Sequence, residues 1–497
     1  MRAKLRAGIM TNHLNLLTTL QSLGQHIPRI ELDCASDLLE LEVVRVVPGK
    51  RVVCSGFWQQ QRVYAKIFLG NQSQQYADRD KKGVQWLMQA DVATPRLLAS
   101  HQLASTQAVV LIYQAIEGGE TVELAYARFS ARERLQLMTL LVQTIAQHHH
   151  AGLIQTDCYL KNFLVEDHVI YTLDGDGVRA YRHLSARKMA ENLTVLLSKM
   201  DILEVESWCG QLLQCYQSAY DLPAIVLQRL KPSVRKVQAR VAARYAEQKV
   251  FRQCTDVNVN QHQGSFVAVR RHFAHLAPML KMAGLDQYLT QDCLIKNGNT
   301  CTVFDTKLDG AHVVIKRYNM KSVGHYLSRM LRPSRAAISW ANAHRLMLLG
   351  IKTATPVALV ERRMFGFLRG KAYFVTLFVD APDVAEFFQQ TQHPDRRAQS
   401  VQQMAELFYR LYLLKLSHGD MKASNIKVLS DGCPLLIDLD SMRQHRSRFF
   451  AQNHHVRDLK RFMQNWKDTP TLYNAYVEAF KVVYTEQAPL KAAKILE

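Results

Sequence analysis

Two short segments of the sequence place an asparagine five positions after an aspartate. The pair is Asp420 and Asn425 in "HGDMKASN", and Asp157 and Asn162 in "TDCYLKN". An aspartate can accept the proton of an attacking hydroxyl, and an asparagine oxygen is a suitable ligand for Mg²⁺. Phosphoryl transfer from ATP requires both functions. Because the same spacing occurs twice, the pattern indicates one catalytic device built twice.

The segment around Asp420 belongs to a larger set of residues in the second half of the sequence. Lys316 lies in the strand-like run "VVIKRY", and Asp438 follows the apolar run "LLI". In the protein kinase pattern these positions bind the ATP phosphates and a metal ion, so Asn425 and Asp438 are the predicted metal ligands. Asp420 is the predicted catalytic base. Lys422 supplies a cation that can reach the γ-phosphate as it transfers.

The first half contains the same types of residue in the same order. Lys66 lies in "VYAKIF", Asp157 and Asn162 follow a helical stretch, and Asp174 ends the apolar run "IYTL". We predict that Lys66 binds ATP, that Asp157 is catalytic, and that Asn162 and Asp174 hold a metal ion. A strand lysine or an Asp-Gly pair alone usually marks a solvated side chain or a turn. The repeated order is what favours the catalytic interpretation.

The elements around these residues predict the fold class. Short β-branched runs separated by turn residues indicate antiparallel strands over 41–70 and again over 292–318, where Asp309 begins a D-G hairpin turn. In each half a helical stretch, an apolar strand and an amphipathic helix follow. We predict an α+β protein of two tandem protein-kinase-like domains, each with a small antiparallel β-sheet N-lobe and a mainly helical C-lobe. The predicted domains are residues 1–250 and 251–497.

Composition narrows the class of partner. The chain has 497 residues and a formal net charge of +20, which indicates attraction to nucleic acid, a membrane surface or a phosphorylated substrate. The basic residues are scattered and no aromatic-rich basic module or zinc spacing occurs, so we expect no nucleic-acid partner. Nine cysteines without a C-x-x-C pair favour reduced thiols and a cytoplasmic setting. The sequence also lacks the pattern of a signal peptide or a membrane span.

Each copy departs from the kinase pattern at a different place. Kinases pair the strand lysine with a glutamate of the next helix, but the helical stretch after Lys316 contains no acidic residue. Ser339 stands where the glutamate is expected, and Asp438 is the nearest candidate partner instead. The first copy does offer Asp78 and Asp80 in its corresponding helix.

Other departures lie in the catalytic and phosphate-binding loops. Gln155 stands where the second copy has His418, and Tyr159 stands where it has Lys422. Neither glycine-containing loop, "VVPGKRVVCSG" or "IKNGNTCTVF", matches G-x-G-x-x-G, so the loops alone are weak indicators. Gly298 in the second loop is the glycine that we predict to lie near the phosphates of ATP.

Several longer segments resemble the bacterial lipopolysaccharide kinase family, which contains the heptose and Kdo kinases. They are "SRAAISWANAHRLMLLGIKTATPVALVERR" (334–363), "LKLSHGDMKASNIKVLSDGCPLLIDLDSMR" (414–443), "HHHAGLIQTDCYLKNFLV" (148–165) and "RDLKRFMQNW" (457–466). The resemblance implies enzymes that use ATP and Mg²⁺ to phosphorylate heptose or Kdo hydroxyls of the lipid A-linked lipopolysaccharide core. It also implies a cytoplasmic protein, peripheral on the inner membrane, that approaches an anionic bilayer.

Three functions stay open at this point. The second half has the fuller loop and is the expected catalyst, although both halves could modify different sugars. A tandem pseudokinase scaffold that regulates envelope biosynthesis is favoured by the missing helix acid and opposed by the aspartates and asparagines retained in both halves. A kinase for a small soluble sugar would gain little from a charge of +20.

Three further segments each have two interpretations. The basic stretch 316–335 could contact acceptor phosphates or anionic headgroups, or be a solvated helix face. Residues 1–24 could form an interfacial helix or pack normally. The three histidines at 148–150 could bind a metal, but the end of an amphipathic helix more often packs into the core.

Overall fold

The computed structural model divides the chain into two compact units, Met1–Met200 with Glu204–Val234 and Asp201–Leu203 with Arg235–Glu497. The residues that the structure describes are 30–34, 37–47, 49–103, 107–218, 228–262, 264–281, 285–298, 301–318, 332–364 and 368–496. Residues 1–24, interpreted above as an interfacial helix or a normally packed segment, lie outside these ranges, as does most of the basic stretch 316–335.

The first unit begins with an antiparallel sheet whose strand order is β1-β2-β3-β4-β6-β5. In the smaller sheets β9 pairs with both β10 and β7, and β11 pairs with β8. The strands are β1 (Ile30–Cys34), β2 (Asp37–Val47), β3 (Arg51–Trp58), β4 (Gln61–Phe68), β5 (Leu97–Gln102), β6 (Val109–Gln114), β7 (Glu120–Thr121), β8 (Leu153–Gln155), β9 (Phe163–Glu166), β10 (Val169–Thr172) and β11 (Val178–Ala180).

Helices separate and follow these strands. The helices that the structure describes up to residue 248 are α1 (Ser73–Gln89), α2 (Val122–Arg128), α3 (Ala131–His150), α4 (Ala186–Leu197), α5 (Ile202–Gln217) and α6 (Leu230–Gln248). Helix α3 begins with a capping box between Ser130 and Glu133, which satisfies backbone N–H groups that a helix start leaves unpaired. Helix α1 interrupts the main sheet between β4 and β5, as the helix after the strand lysine does in the predicted arrangement.

The second unit repeats this order with a sheet of strand order β12-β13-β17-β18-β16-β15-β14. Its strands are β12 (Val257–His262), β13 (Ser265–Arg270), β14 (Leu294–Asn297), β15 (Cys301–Leu308), β16 (Ala311–Tyr318), β17 (Pro356–Met364), β18 (Leu368–Leu377), β19 (Leu416–Ser417), β20 (Ile426–Val428), β21 (Pro434–Leu436) and β22 (Arg443–Gln444). Its remaining helices are α7 (Arg335–Leu348), α8 (Val384–Gln390), α9 (Pro394–Leu413), α10 (Arg448–Met463), α11 (Pro470–Val483) and α12 (Ala488–Ala492).

Alternation along the central strands sets which side chains face each core. In β4, Val63, Ala65 and Ile67 are buried in an apolar cluster, so Lys66 points to the opposite face of the sheet. In β16, Ile315 is buried in the matching cluster, and Lys316 likewise points away from it. The strand pattern therefore presents one lysine from each sheet on the face turned away from that apolar cluster.

The predicted α+β class with two kinase-like units is confirmed, and the D-G turn at Asp309 joins β15 to β16 with a left-handed φ of 46°. The main break between the units lies at 234–235, upstream of the boundary predicted near 250. It lies there because the later part of α6 contacts the second unit. Ala239 accepts a hydrogen bond from Gln444, and the carbonyl of Val250 accepts one from the Trp340 indole.

Candidate active sites

The segment between β19 and β20 forms the predicted catalytic loop of the second unit. Asn425 donates from Nδ2 to the carbonyl oxygen of Asp420 at 2.8 Å and to its Oδ2 at 3.1 Å. These bonds close the loop around the five-residue spacing, and they leave Oδ1 of Asn425 as the atom that can bind a metal. Lys422 lies with its Nζ 3.4 Å from Oδ2 of Asp420. The Asp420 side chain is 37% exposed, so an acceptor hydroxyl can reach it.

Lys316 and Asp438 meet across 122 residues of sequence, as the kinase interpretation requires. Lys316 Nζ donates to Asp438 Oδ1 at 2.9 Å. Asp438 follows β21 with a left-handed φ of 60°, which turns its carboxylate back toward the sheet. Burial acts to raise the pKa of Asp438, but the charge and the hydrogen bond of Lys316, together with the charge of Lys422, lower the pKa overall. The carboxylate is therefore ionised and suited to binding a cation.

Helix α7 holds this turn in place without supplying an acid. Asn342 is buried and donates to the carbonyl oxygens of Leu439 and Met442, both at 2.9 Å. Ser339, at the position where a glutamate was expected, is buried and shares a hydrogen bond of 3.1 Å with the Tyr318 hydroxyl. The helix thus contacts the turn through an amide, and Asp438 is the acid that pairs with the strand lysine.

Two buried side chains, those of His418 and Asp458, hold the catalytic loop in position. His418 is neutral because burial lowers its pKa, and its Nε2 donates to the carbonyl oxygen of Ile437 at 2.9 Å. Asp458 of α10 accepts the backbone N–H of His418 at 2.6 Å and that of Gly419 at 3.0 Å. Sequence analysis quoted the helix that contains Asp458 but gave this residue no role. Its signal was an acid on the buried face of an amphipathic helix.

We expect phosphoryl transfer to fall as the pH drops through about 6, because burial raises the pKa of Asp458 to about 6. Its protonation removes charge from the group that holds the loop. The folded protein then keeps, between about pH 4 and pH 6, a proton that the unfolded chain releases. The unfolding free energy that this group contributes therefore decreases as the pH rises through that window.

Replacing Asp458 by asparagine should remove the acid limb from a pH–rate profile and lower the rate about 10-fold, the usual cost of losing a supporting contact. Asp468→Asn, which removes an exposed carboxylate, is the matched control and should leave the profile unchanged. An unchanged acid limb in Asp458→Asn would assign the limb to another group.

A cavity of about 750 Å³ opens beside Asp420. Its lining includes the acidic residues Asp440 and Asp458 and an excess of basic ones: Arg332, Arg335, Arg443, His454, Arg457 and Arg461. Arg461 Nε lies 3.9 Å from Oδ1 of Asp420, and Arg335 lies 3.6 Å from Asp440. The cavity can therefore receive an anionic group next to the predicted base. Of this arginine cluster, sequence analysis considered a binding role only for those in 316–335, because the others are dispersed over later helices and strands.

Gly298, predicted to lie near the ATP phosphates, follows β14 at the turn into β15. Its backbone N–H donates to the carbonyl oxygen of Cys301 at 3.1 Å. A Cβ atom at this position would lie 2.9 Å from the same oxygen, so the turn requires the absence of a side chain. The position is at the edge strand of the sheet that carries Lys316 on its central strand.

The first unit has the same loop between β8 and β9. Asn162 donates from Nδ2 to the carbonyl oxygen of Asp157 at 2.8 Å, the distance found in the second unit. Gln155 makes the kind of backbone contact that His418 makes in the second unit. Its Nε2 donates to the carbonyl oxygens of Leu173 at 3.2 Å and Asp174 at 3.3 Å. Tyr159 leaves the loop without the lysine that lies beside the base in the other unit. The hydrogen bond that closes the loop is therefore repeated in the first unit, whereas the positive charge of Lys422 is not.

Lys66 of the first unit has two acidic partners. Its Nζ lies 2.7 Å from Asp80 Oδ2 and 3.4 Å from Asp174 Oδ1. Asp80 is fully buried and also accepts the Tyr113 hydroxyl at 2.6 Å, so it is the helix acid of this unit, whereas Asp78 is exposed. Burial raises the pKa of Asp80.

Helix α1 can approach the turn after Asp174 closely because two glycines face each other. A Cβ atom on Gly83 would lie 2.0 Å from the carbonyl oxygen of Gly175, and one on Gly175 would lie 2.2 Å from that of Asp80. Asp174 itself has a left-handed φ of 64°, close to that of Asp438. This close packing brings the helix acid and the predicted metal ligand to the same lysine.

Arg51, the first residue of β3, was missed by sequence analysis. Its guanidinium donates to both oxygens of Asp174, from Nη1 to Oδ1 at 2.9 Å and from Nη2 to Oδ2 at 3.2 Å. Burial acts to raise the pKa of Asp174, but the charges of Lys66 and Arg51 outweigh it and lower the pKa. In the sequence, Arg51 is recognisable as a basic residue at the start of a strand. The sequence alone does not show which carboxylate its side chain contacts.

Of the histidines at 148–150, His148 and His149 are buried in the core, whereas His150 is exposed. Burial lowers the pKa of His148 to about 3 and of His149 to about 4, and both rings contact polar groups of the core. His148 Nε2 lies 3.0 Å from the Thr172 hydroxyl. Within the described ranges, no group of three or more His, Cys, Asp or Glu side chains is arranged to hold a metal ion. The candidate Mg²⁺ site of the second unit instead combines an aspartate with an asparagine.

A comparison with a protein-family model agrees with this geometry. A search of curated proteins finds no match. In the part of the chain that the structure describes, no helix is long and apolar enough to cross a membrane. The model of the lipopolysaccharide kinase (Kdo/WaaP) family matches residues 60–216 and 295–484, which contain both sets of site residues. The chain therefore belongs to the lipopolysaccharide kinase (Kdo/WaaP) family, with two family regions in tandem.

Proposed function

We propose that the second unit transfers the γ-phosphoryl group of ATP to a heptose or Kdo hydroxyl of the lipid A-linked lipopolysaccharide core. One observation carries the proposal. Lys316 of β16 contacts Asp438, and Asn425 contacts Asp420 in the catalytic loop. Asp420 also lines the basic cavity. Family membership supports a phosphotransferase that acts on the lipopolysaccharide core.

Each residue has a role that follows from its contacts. Lys316 would bind the α- and β-phosphates, and Gly298 would let the loop backbone come close to them. Asn425 and Asp438 supply the oxygen ligands that fit Mg²⁺, and the bound ion neutralises charge that develops on the phosphates. Asp420 would orient the acceptor hydroxyl and take its proton. Lys422, at 3.4 Å from Asp420, would balance the charge of the transferring group.

The basic cavity supports an anionic acceptor over a small neutral sugar. Five arginines and one histidine line it with the exposed face of Asp420, and a phosphorylated or carboxylated core saccharide would match their charge. The whole chain, at +20, would also be attracted to the anionic membrane surface where such an acceptor resides, which supports a peripheral, cytoplasmic-face location.

Replacing Arg457 by glutamine should raise the KM for a phosphorylated lipid A-core acceptor about 10-fold, because one charge-assisted hydrogen bond of the acceptor is lost. The kcat should change little, since Arg457 lines the cavity without a hydrogen bond or ion pair to Asp420 that the structure describes. The measurement is steady-state transfer of labelled phosphate, with Arg396→Gln, exposed and outside the cavity lining, as the control.

The same assay tests the acceptor class. We expect enzymatic dephosphorylation of the acceptor to raise its KM for the unsubstituted protein and to abolish the difference between that protein and Arg457→Gln. Equal KM values for phosphorylated and dephosphorylated acceptors, or for a small soluble sugar, would contradict an anionic acceptor.

The first unit is proposed to bind a nucleotide as well. Its cavity of about 330 Å³ lies between the sheet that carries Lys66 and the loop that carries Asn162, with apolar walls that include Val53, Ile116 and Leu164. The volume is at the lower end of small-molecule sites. The spacing in the sequence predicts catalysis by Asp157 and a metal ion on Asn162 and Asp174 in this unit. The hydrogen bonds from Arg51 to Asp174 affect the prediction of the metal ion.

A further inference from the structure

Arg51 occupies both oxygens of Asp174, the carboxylate that is predicted to bind a metal ion in the first unit. A two-pronged arginine–carboxylate contact engages both oxygens of Asp174 at 2.9 and 3.2 Å, and Lys66 lies 3.4 Å from one of them. Such paired charge-assisted bonds are among the strongest in proteins. A Mg²⁺ ion on Asp174 would have to displace the guanidinium, because it binds oxygen ligands at about 2.1 Å in a strict geometry.

At the corresponding strand position, which the structure describes, the second unit has a cysteine and no cation. Lys66 pairs with Val53 across β3 and β4, and Lys316 pairs with Val303 across β15 and β16. The strand residue two positions earlier is Arg51 in the first unit and Cys301 in the second. Both are the first residues of their strands. Besides Asp80 in place of Ser339 and Tyr159 in place of Lys422, the two sites thus differ in a cation placed at the metal-binding carboxylate.

The remaining lining of the first cavity supplies further fixed positive charge. Arg45 and Lys161 line it together with Arg51 and Lys66. A triphosphate without a metal carries several negative charges. Arg51 and Lys66 also pair with Asp174 and Asp80, so the four cations offset part of the triphosphate charge. The acid that faces this cluster from α1, Asp80, is held by Lys66 and Tyr113.

We propose that the first unit binds a nucleoside triphosphate without a divalent cation, with Arg51 in the place that the metal occupies in the second unit. The inference rests on the proposed nucleotide pocket of the first unit. Without the metal, and with Tyr159 in place of the loop lysine, this unit holds its nucleotide and does not transfer phosphate. A metal-independent nucleotide site replaces the second magnesium site that the spacing of Asn162 and Asp174 predicts.

The test is a titration of the full-length protein with ATP in excess EDTA and again in excess Mg²⁺, followed by calorimetry. We expect about one equivalent of ATP to bind in EDTA, and Lys316→Ala to leave that binding unchanged. Arg51→Ala should weaken it at least about 10-fold, the cost of one lost charge-assisted contact. In a protein that also carries Lys316→Ala, so that the second unit does not bind ATP with Mg²⁺, adding Mg²⁺ should then restore binding to Arg51→Ala, because Asp174 becomes accessible. Restored binding also shows that the variant is folded.

The control is Arg62→Ala, which removes an exposed arginine of β4 outside the cavity lining. Binding in EDTA that is as tight in Arg51→Ala as in Arg62→Ala would overturn the inference, as would a requirement for Mg²⁺ in the unsubstituted protein at a site that Lys66→Ala removes. If no site sensitive to Lys66→Ala binds ATP under either condition, the proposed nucleotide pocket itself is wrong.

Discussion

Replacing Asp420 by alanine is expected to lower the rate of phosphoryl transfer on the order of 1,000-fold, because the variant lacks the group that takes the acceptor proton. The loss should appear in kcat, since the proposed role of Asp420 is to contact the acceptor hydroxyl and not the nucleotide. Transfer of labelled phosphate from ATP to a lipid A-core acceptor measures it directly.

The fold should survive this change. Asp420 is partly exposed, and its side-chain contacts that the structure describes are those with Asn425, Lys422 and Arg461. We expect the free energy of unfolding in urea to change by about 0.5 kcal/mol or less, as for most exposed positions. The backbone carbonyl that binds Asn425 at 2.8 Å is unaffected by the substitution.

Asp157→Ala is the matched variant in the first unit. It removes the same residue type at the same loop position and should leave transfer to the core acceptor nearly unchanged. If Asp157→Ala abolished transfer while Asp420→Ala retained it, the catalytic unit would be the first. Loss in both variants would support two active sites that act on different sugars.

Lys316→Met is expected to lower kcat/KM for ATP on the order of 100-fold. Methionine preserves the length of the side chain but removes the charge that binds the phosphates and the 2.9 Å contact to Asp438. The effect is large because, within the described part of the chain, α7 presents Ser339 rather than an acid to this face, so Asp438 alone orients the lysine. Among the described residues, a buried network that could compensate is found in the other unit, where Lys66 contacts both Asp80 and Asp174.

Steady-state kinetics with ATP as the varied substrate tests this, and Lys66→Met is the control. Lys66→Met should leave kcat/KM for transfer near its original value while it weakens the metal-independent nucleotide site. An undiminished rate in Lys316→Met would separate the strand lysine from catalysis and would contradict the kinase interpretation of the second unit.

The order of site residues along the chain was sufficient to predict the fold. A lysine on an alternating strand must face one side of a sheet, and an aspartate after a short apolar strand must lie at its end. Because both patterns recur, the meeting of Lys316 with Asp438 and of Lys66 with Asp174 followed from topology. The family resemblance rested on the same segments and is confirmed by the family match.

Side chains that converge from unrelated segments were beyond sequence reasoning. Arg51 reaches Asp174 across 123 residues, and Asp458 reaches His418 across 40. Neither belongs to a spacing pattern, because each acts on a backbone or carboxylate that the fold brings to it. The arginines of the basic cavity are similarly dispersed among β22, α7, α10 and the segment just before α7. Sequence showed the excess charge, and only the fold shows where part of it is concentrated.

The most direct test of the central claim is mass spectrometry of a purified lipid A-core acceptor after incubation with ATP, Mg²⁺ and the full-length protein. We predict that the acceptor gains the mass of one phosphoryl group with the unsubstituted protein and with Asp157→Ala, and gains nothing with Asp420→Ala. An acceptor whose mass is unchanged by the unsubstituted protein, or increased equally by Asp420→Ala, would contradict a core kinase whose active site lies in the second unit.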